Sequence, residues 1–175
     1  MIILGVDCGL SGALAILGGG AVSVFDMPTF ELKRGKTKKR ELDGQNLLRI
    51  IAESGADHVF IEQAQGMPKQ SAYATGIFFQ TYGTVLGIVI AKQMPYTVVH
   101  PLTWKRALGV PSEKDGARAR ASQLLPHGAT QWPLKKHDGR AEAALLALYG
   151  SRATDGTGGP KAQAPNTDES KGLLL

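Results

Sequence analysis

Four carboxylates stand where a metal-dependent phosphodiesterase needs them. Asp7 closes the apolar run Met1-Ile-Ile-Leu-Gly-Val6, and Glu62 closes a second run, His58-Val-Phe-Ile61. Asp138 and Glu142 open an Ala/Leu-rich segment that reaches Tyr149. A carboxylate ending a buried strand is costly to desolvate unless positive charge meets it. Hydrolysis by two Mg²⁺ ions sets the metals roughly 3.5–4 Å apart, one activating water and one stabilising the leaving oxygen. Mg²⁺ takes oxygen ligands and keeps several waters, so acids from two strand ends and one helix suit it. Asp138 and Glu142, four apart, share a helix face. The stripe Ala141, Ala144, Leu145 and Leu148 would press that helix onto a sheet.

Each acid also has a plainer use. Asp7 could open an Asx turn, Glu62 could pair with a lysine, Asp138 could cap a helix, and Glu142 could complement the helix dipole. Their joint placement is what favours a metal site. His137 could hold a water or the scissile phosphate, or simply sit at the surface. No Cys/His spacing of a zinc site is present, and no Ser or Cys has the context of a hydrolase nucleophile.

The substrate side is basic. Lys33, Arg34, Lys36, Lys38, Lys39 and Arg40 put six positive charges into eight residues without an acid. The chain carries +5, so the remainder stands at −1 and the excess lies in this one segment. Concentrated Lys/Arg is the footprint of a polyanion partner, a solvated mobile loop being the alternative. Lys105, Lys114, Arg118 and Arg120 form a second basic layer that could contact phosphates or steady developing charge. Trp104 is either core or an orienter of Lys105.

These side chains need elements to hold them. The 175 residues, 43% hydrophobic and 20% charged, suit one soluble domain. Single Cys8 excludes an intramolecular disulfide and fits a reducing cytosol. No secretory signal is visible, and no apolar stretch is expected to span a membrane. Residues 77–91 read as a buried helix instead. The pattern predicts strands over 2–7, 13–17 and 21–27 in an antiparallel meander, with the basic segment following as a loop. A helix over 44–54 capped by Asp43 leads to a strand at 58–62, parallel to the first. A helix over 71–93 follows, where Gly76, Gly83 and Gly87 suggest close backbone packing, then a strand at 96–99. Helices are predicted over 101–108, 112–125 and 139–149, the last ending at Gly150. Residues 1–150 form the domain, and 151–175, rich in Gly, Pro and Thr, read as a disordered tail.

On four blocks the chain resembles the RuvC-type Holliday-junction resolvases of the ribonuclease H-like superfamily, especially bacteriophage versions. They are Ile3-Leu-Gly-Val-Asp-Cys-Gly-Leu-Ser-Gly12, Val59-Phe-Ile-Glu-Gln63, Pro101-Leu-Thr-Trp-Lys105 and Lys136-His-Asp-Gly-Arg-Ala-Glu-Ala143. The resemblance covers about residues 2–150. It implies an α/β fold with a five-stranded mixed sheet, a meander plus two parallel strands, flanked by helices. It further implies a homodimer that nicks four-way or other branched DNA symmetrically with Mg²⁺ or Mn²⁺, in the cytoplasm of a bacterial host if phage-encoded. Asp7, Glu62, Asp138 and Glu142 are the implied metal ligands and catalytic acids, with Lys105 and Lys114 as basic helpers. Cellular members carry their last two ligands three apart, whereas here Gly139 stands three before Glu142, leaving Asp138 and His137 as alternatives. Two other readings remain. One is an actin- or sugar-kinase-like ATPase, for which Asp155-Gly-Thr-Gly-Gly159 superficially resembles a phosphate loop. The other is a non-catalytic branched-DNA-binding module.

Overall fold

Ile3–Asp7 (β1) is apolar on successive residues and buried on both faces. It turns back through Ala13–Gly18 (β2) and Ala21–Asp26 (β3). The computed structural model describes residues 1–35, 37–66, 71–113 and 115–156. Lys36, Lys114 and the expected tail from residue 157 onward lie outside the described residues, as does the side chain of Arg34. The basic segment, expected as a loop, is instead an antiparallel hairpin of Thr29–Arg34 (β4) and Thr37–Leu42 (β5). The alternation Phe30, Leu32 against Glu31, Lys33 is strand-like, and Gly35 supplies the positive φ of 61° that the turn requires.

Asp43 accepts from the Asn46 N–H and caps Gly44–Glu53 (α1). Then come His58–Glu62 (β6), Ala72–Ala91 (α2), Tyr96–Val99 (β7), Pro101–Leu108 (α3), Gly116–Leu124 (α4) and Asp138–Thr154 (α5). Two short 3₁₀ turns, Pro126–Gln131 and Lys135–His137, occupy the stretch expected as a loop before α5. The sheet order is β3-β2-β1-β6-β7, with β6 parallel to β1 and β7 parallel to β6. This is the expected ribonuclease H-like α/β architecture: a three-stranded meander extended by two parallel strands.

Alternation along β1 divides the core. Leu4, Val6 and Cys8 join Leu47, Ile51, Val85 and Val89 on the side of α1 and α2. Ile3 joins the alanines and leucines of α5 on the other side. Gly5 faces α5 at such close range that a Cβ there would collide with the backbone of Ala143 and Ala147. This close contact brings the first turns of α5 over the end of β1.

Several expectations for helices are corrected. The helix expected over 112–125 begins only at Gly116 and ends at Leu124. The helix over 71–93 begins and ends slightly inside those bounds, and it is not buried. Only Thr81, Val85 and Val89 are enclosed, and its 20 residues carry no charge, so by length and composition alone it could span a membrane. A Cβ at Gly76, Gly83 or Gly87 would meet nothing within 4 Å, so close packing within this chain does not account for them. The last helix also does not end at Gly150. That residue packs against the Phe60 ring, and α5 runs on to Thr154, past the expected domain boundary.

Candidate active site

Parallel pairing of Val6 with Ile61 sets the C-terminal ends of β1 and β6 side by side. Asp7 follows Gly5 by two residues and Glu62 follows Phe60 by two, so both point to the α5 face. Glu142, in the second turn of α5, joins them. Asp7, Glu62 and Glu142 each offer a carboxylate oxygen within 4.8 Å of the others. Asp7 also accepts from the Gly9 N–H, so the turn role and the cluster role coexist.

Burial and crowding raise the proton affinity of Asp7 and Glu62. Burial pushes the Asp7 carboxyl well above the usual range, and the Glu142 and Glu62 charges push it further. Glu62 is raised to about 7, first by burial and then by Glu142. The donor set is all oxygen and partly buried, three carboxylates beside one lysine, Lys105, which fits a hard divalent cation. These three residues could hold Mg²⁺ or Mn²⁺.

Helix α3 supplies two groups to the cluster from neighbouring positions. Lys105 Nζ lies 2.7 Å from Glu142 Oε1, and Trp104 Nε1 donates to Glu62 Oε1 at 3.3 Å. The Trp104 ring is fully buried, and Lys105 Nζ lies 5.1 Å from its centroid. Trp104 therefore serves both readings, core and orienter, and touches a site acid as well.

Asp138 lies outside the group of three. It is the first residue of α5 and makes no capping bond of the expected kind; Arg118 Nε meets its Oδ1 at 2.9 Å. A second Arg118 nitrogen lies 2.8 Å from Asp115 Oδ1. The position three before Glu142 is closed to any larger side chain. A Cβ on Gly139 would strike the Ser11 carbonyl and the Asp7 carboxylate. His137 Nδ1 accepts from the Leu134 N–H within its own 3₁₀ turn.

The basic residues differ in what engages them. Lys33 and Lys38 face each other across the hairpin, and Lys38 lies 3.2 Å from exposed Glu31. Lys39 Nζ sits 4.8 Å from the centroid of the Tyr73 ring. Arg40 donates to the Leu10 carbonyl and to Thr29 Oγ1, tying the hairpin to the turn that follows Asp7. Arg120 donates to the Leu108 carbonyl and to Gln123, closing the end of α3.

Two structural ties have no signal in the sequence. Arg140 grips Asp26 through two bonds of 2.6 Å and donates to the Gln131 carbonyl. The Gln131 amide bonds both Val22 O and Val24 N, substituting for a neighbouring strand at the β3 edge. Together they fix the start of α5 over the meander. Their partners on β3 lie more than 100 residues away in sequence, so no local pattern could announce them.

No protein-family model and no curated protein matches the sequence. Among solved structures, the chain is similar to Thermus thermophilus RuvC. RuvC from T. thermophilus in complex with a Holliday junction substrate superposes with a TM-score of 0.61 at 16% identity, over 90% of this chain and 97% of that one. A second T. thermophilus RuvC structure gives 0.54 at 19% identity, over 90% and 98%. The fold is thus RuvC-like.

Proposed function

We propose that this chain is a metal-dependent endodeoxyribonuclease that nicks branched DNA, four-way junctions foremost, as a symmetric dimer. The observation that carries the reading is the convergence of Asp7, Glu62 and Glu142 within 4.8 Å at one rim of a RuvC-like sheet. A bound Mg²⁺ or Mn²⁺ there would polarise the phosphate and lower the pKa of a coordinated water. The chain's own residues complete the site. Lys105, partly exposed beside Glu142, is placed to steady negative charge on the phosphate. Trp104 keeps one Glu62 oxygen engaged and so restrains this carboxylate beside the cluster.

Lys33, Lys38, Lys39 and Arg118 are assigned to DNA phosphates, whereas Arg40 acts chiefly in joining the hairpin to the active-site turn. Asp138 is the fourth candidate acid. The ATPase reading lacks support: Asp155 follows the end of α5, not a strand, and residues 157–159 lie outside the described residues. A non-catalytic module would have little use for three acids crowded together, two of them with raised proton affinity.

Cleavage of a synthetic four-way junction in Mg²⁺ by the native protein and by Asp7→Asn tests the proposal. The native protein should nick opposing strands. Asp7→Asn should lose at least the roughly 100-fold that even an outer-shell partner can cost a metal site. Equal cleavage by the two proteins removes Asp7 from the chemistry. Tight junction binding by the native protein without any cleavage would favour the non-catalytic module.

A further inference from the structure

Asp138 is the acid whose role the cluster leaves open, and Arg118 explains why. Asp138 and Glu142 lie one helical turn apart on α5, and both border a cavity of about 270 Å³ that Lys105 also lines. Asp138 nevertheless stays outside the three clustered carboxylates and is bonded to Arg118 Nε at 2.9 Å. The same guanidinium is bonded to Asp115. Asp115 itself is a non-glycine residue at φ 74°, a backbone state that costs free energy and persists where surroundings enforce it. One arginine thus bridges two acids, one at the start of each of two helices, at the mouth of the proposed site.

We infer that Arg118 is a positioning residue that holds Asp138 out of the metal site until a DNA phosphate takes its place. Asp138's side chain is 47% exposed against 18% for Arg118, so the carboxylate end of the pair is open to solvent and another anion can compete for the guanidinium. A phosphate offers the guanidinium the same planar two-point recognition as a carboxylate. When phosphate binds Arg118, Asp138 is released next to Glu142 and supplies a fourth oxygen ligand. Full metal affinity then arises only with substrate in place, which would restrain the nuclease away from its target.

This inference rests on the proposed nuclease reading, but its main test needs neither DNA nor cleavage. Mn²⁺ binding to the DNA-free protein is measured by calorimetry for native, Arg118→Met, Asp138→Asn and the double variant. Arg118→Met should tighten Mn²⁺ binding about tenfold, the lower end of what outer-shell partners are worth to metal affinity. Asp138→Asn should cancel that gain in the double variant and change nothing alone. An unchanged affinity in a folded Arg118→Met protein overturns the inference, as does weakened binding in Asp138→Asn alone. A thermal melt reports whether Arg118→Met folds. If it does not, Asp138→Asn with and without a phosphorothioate-blocked four-way junction decides: loss of Mn²⁺ affinity only with junction supports the gate, and any other pattern rejects it. Failure to bind junctions would overturn the proposed substrate while leaving the DNA-free comparison readable.

Discussion

At Glu62, burial and the nearby Glu142 charge lift the carboxyl from an ordinary value of 4.5 to about 7. A folded-state value above the unfolded one means that the folded protein holds this proton more tightly. The stability it contributes is complete below about pH 4.5 and lost as pH rises through about 7. The difference corresponds to about 3 kcal/mol, and Asp7 shifts in the same direction. Metal-free protein should therefore melt at a lower temperature at pH 7.5 than at pH 5. Glu62→Gln should flatten that slope, and Mg²⁺ or Mn²⁺ should restore the melting temperature at pH 7.5 by binding only the folded state. Calorimetric melts across this range check it; a melting temperature indifferent to pH in the native protein would contradict it. Asp7 and Glu62 were readable because strand ends leave a sequence signature, and Glu142 because it stands near the start of an Ala/Leu-rich helix. The contacts around this cluster were not: Trp104 reaches Glu62 across 42 positions, and Arg118 reaches Asp138, outside the cluster, across 20. No periodicity encodes a contact between separate elements.

Two elements set the geometry, and they differed in how openly the sequence displayed them. The meander and the parallel strands were legible because apolar runs end at glycine turns. The β4–β5 hairpin was hidden by its own lysines, since charge density looks like a loop when hydropathy alone is read. Its register sets Lys33 against Lys38, a like-charge pair unfavourable on a sheet that Glu31 offsets at Lys38 and a DNA phosphate would offset further. Replacing Lys33, Lys38 and Lys39 by glutamine should weaken junction binding and flatten its salt dependence. The log–log slope should fall by about 0.9 for each DNA phosphate the variant no longer neutralises. Fluorescence titrations at several salt concentrations measure this, and an unchanged slope would make the hairpin a spectator. The second element is α5, seated on β1 through Gly5. Gly5→Ala would force the helix off the strand at a cost of about 1–3 kcal/mol, typical of overpacking. It should also carry Glu142 away from Asp7, lowering Mn²⁺ affinity along with stability. A variant that melts early yet binds Mn²⁺ normally would show that the cluster does not depend on this seating.

For the molecule as a whole, one chain presents one carboxylate cluster among the described residues, while symmetric nicking needs two. The proposed dimer would pair through helix α2. Gly76, Phe79, Gly83, Gly87 and Ile90 form an exposed stripe at helical spacing, opposite the buried Thr81, Val85 and Val89. The bare glycines leave room for another backbone to approach, which the chain itself does not fill. A 20-residue helix is about 30 Å long, and two such stripes meeting about a two-fold axis make an isologous contact. Light scattering should give the native protein a mass near twice 18.6 kDa. Phe79→Glu with Ile90→Glu should reduce it to the monomer while circular dichroism stays native, because both side chains are exposed in the single chain. The monomeric variant should still bind Mn²⁺ through its intact cluster but lose paired nicking of a four-way junction. A native protein that remains monomeric at micromolar concentration, or a charged variant that remains dimeric, would place the pairing surface elsewhere.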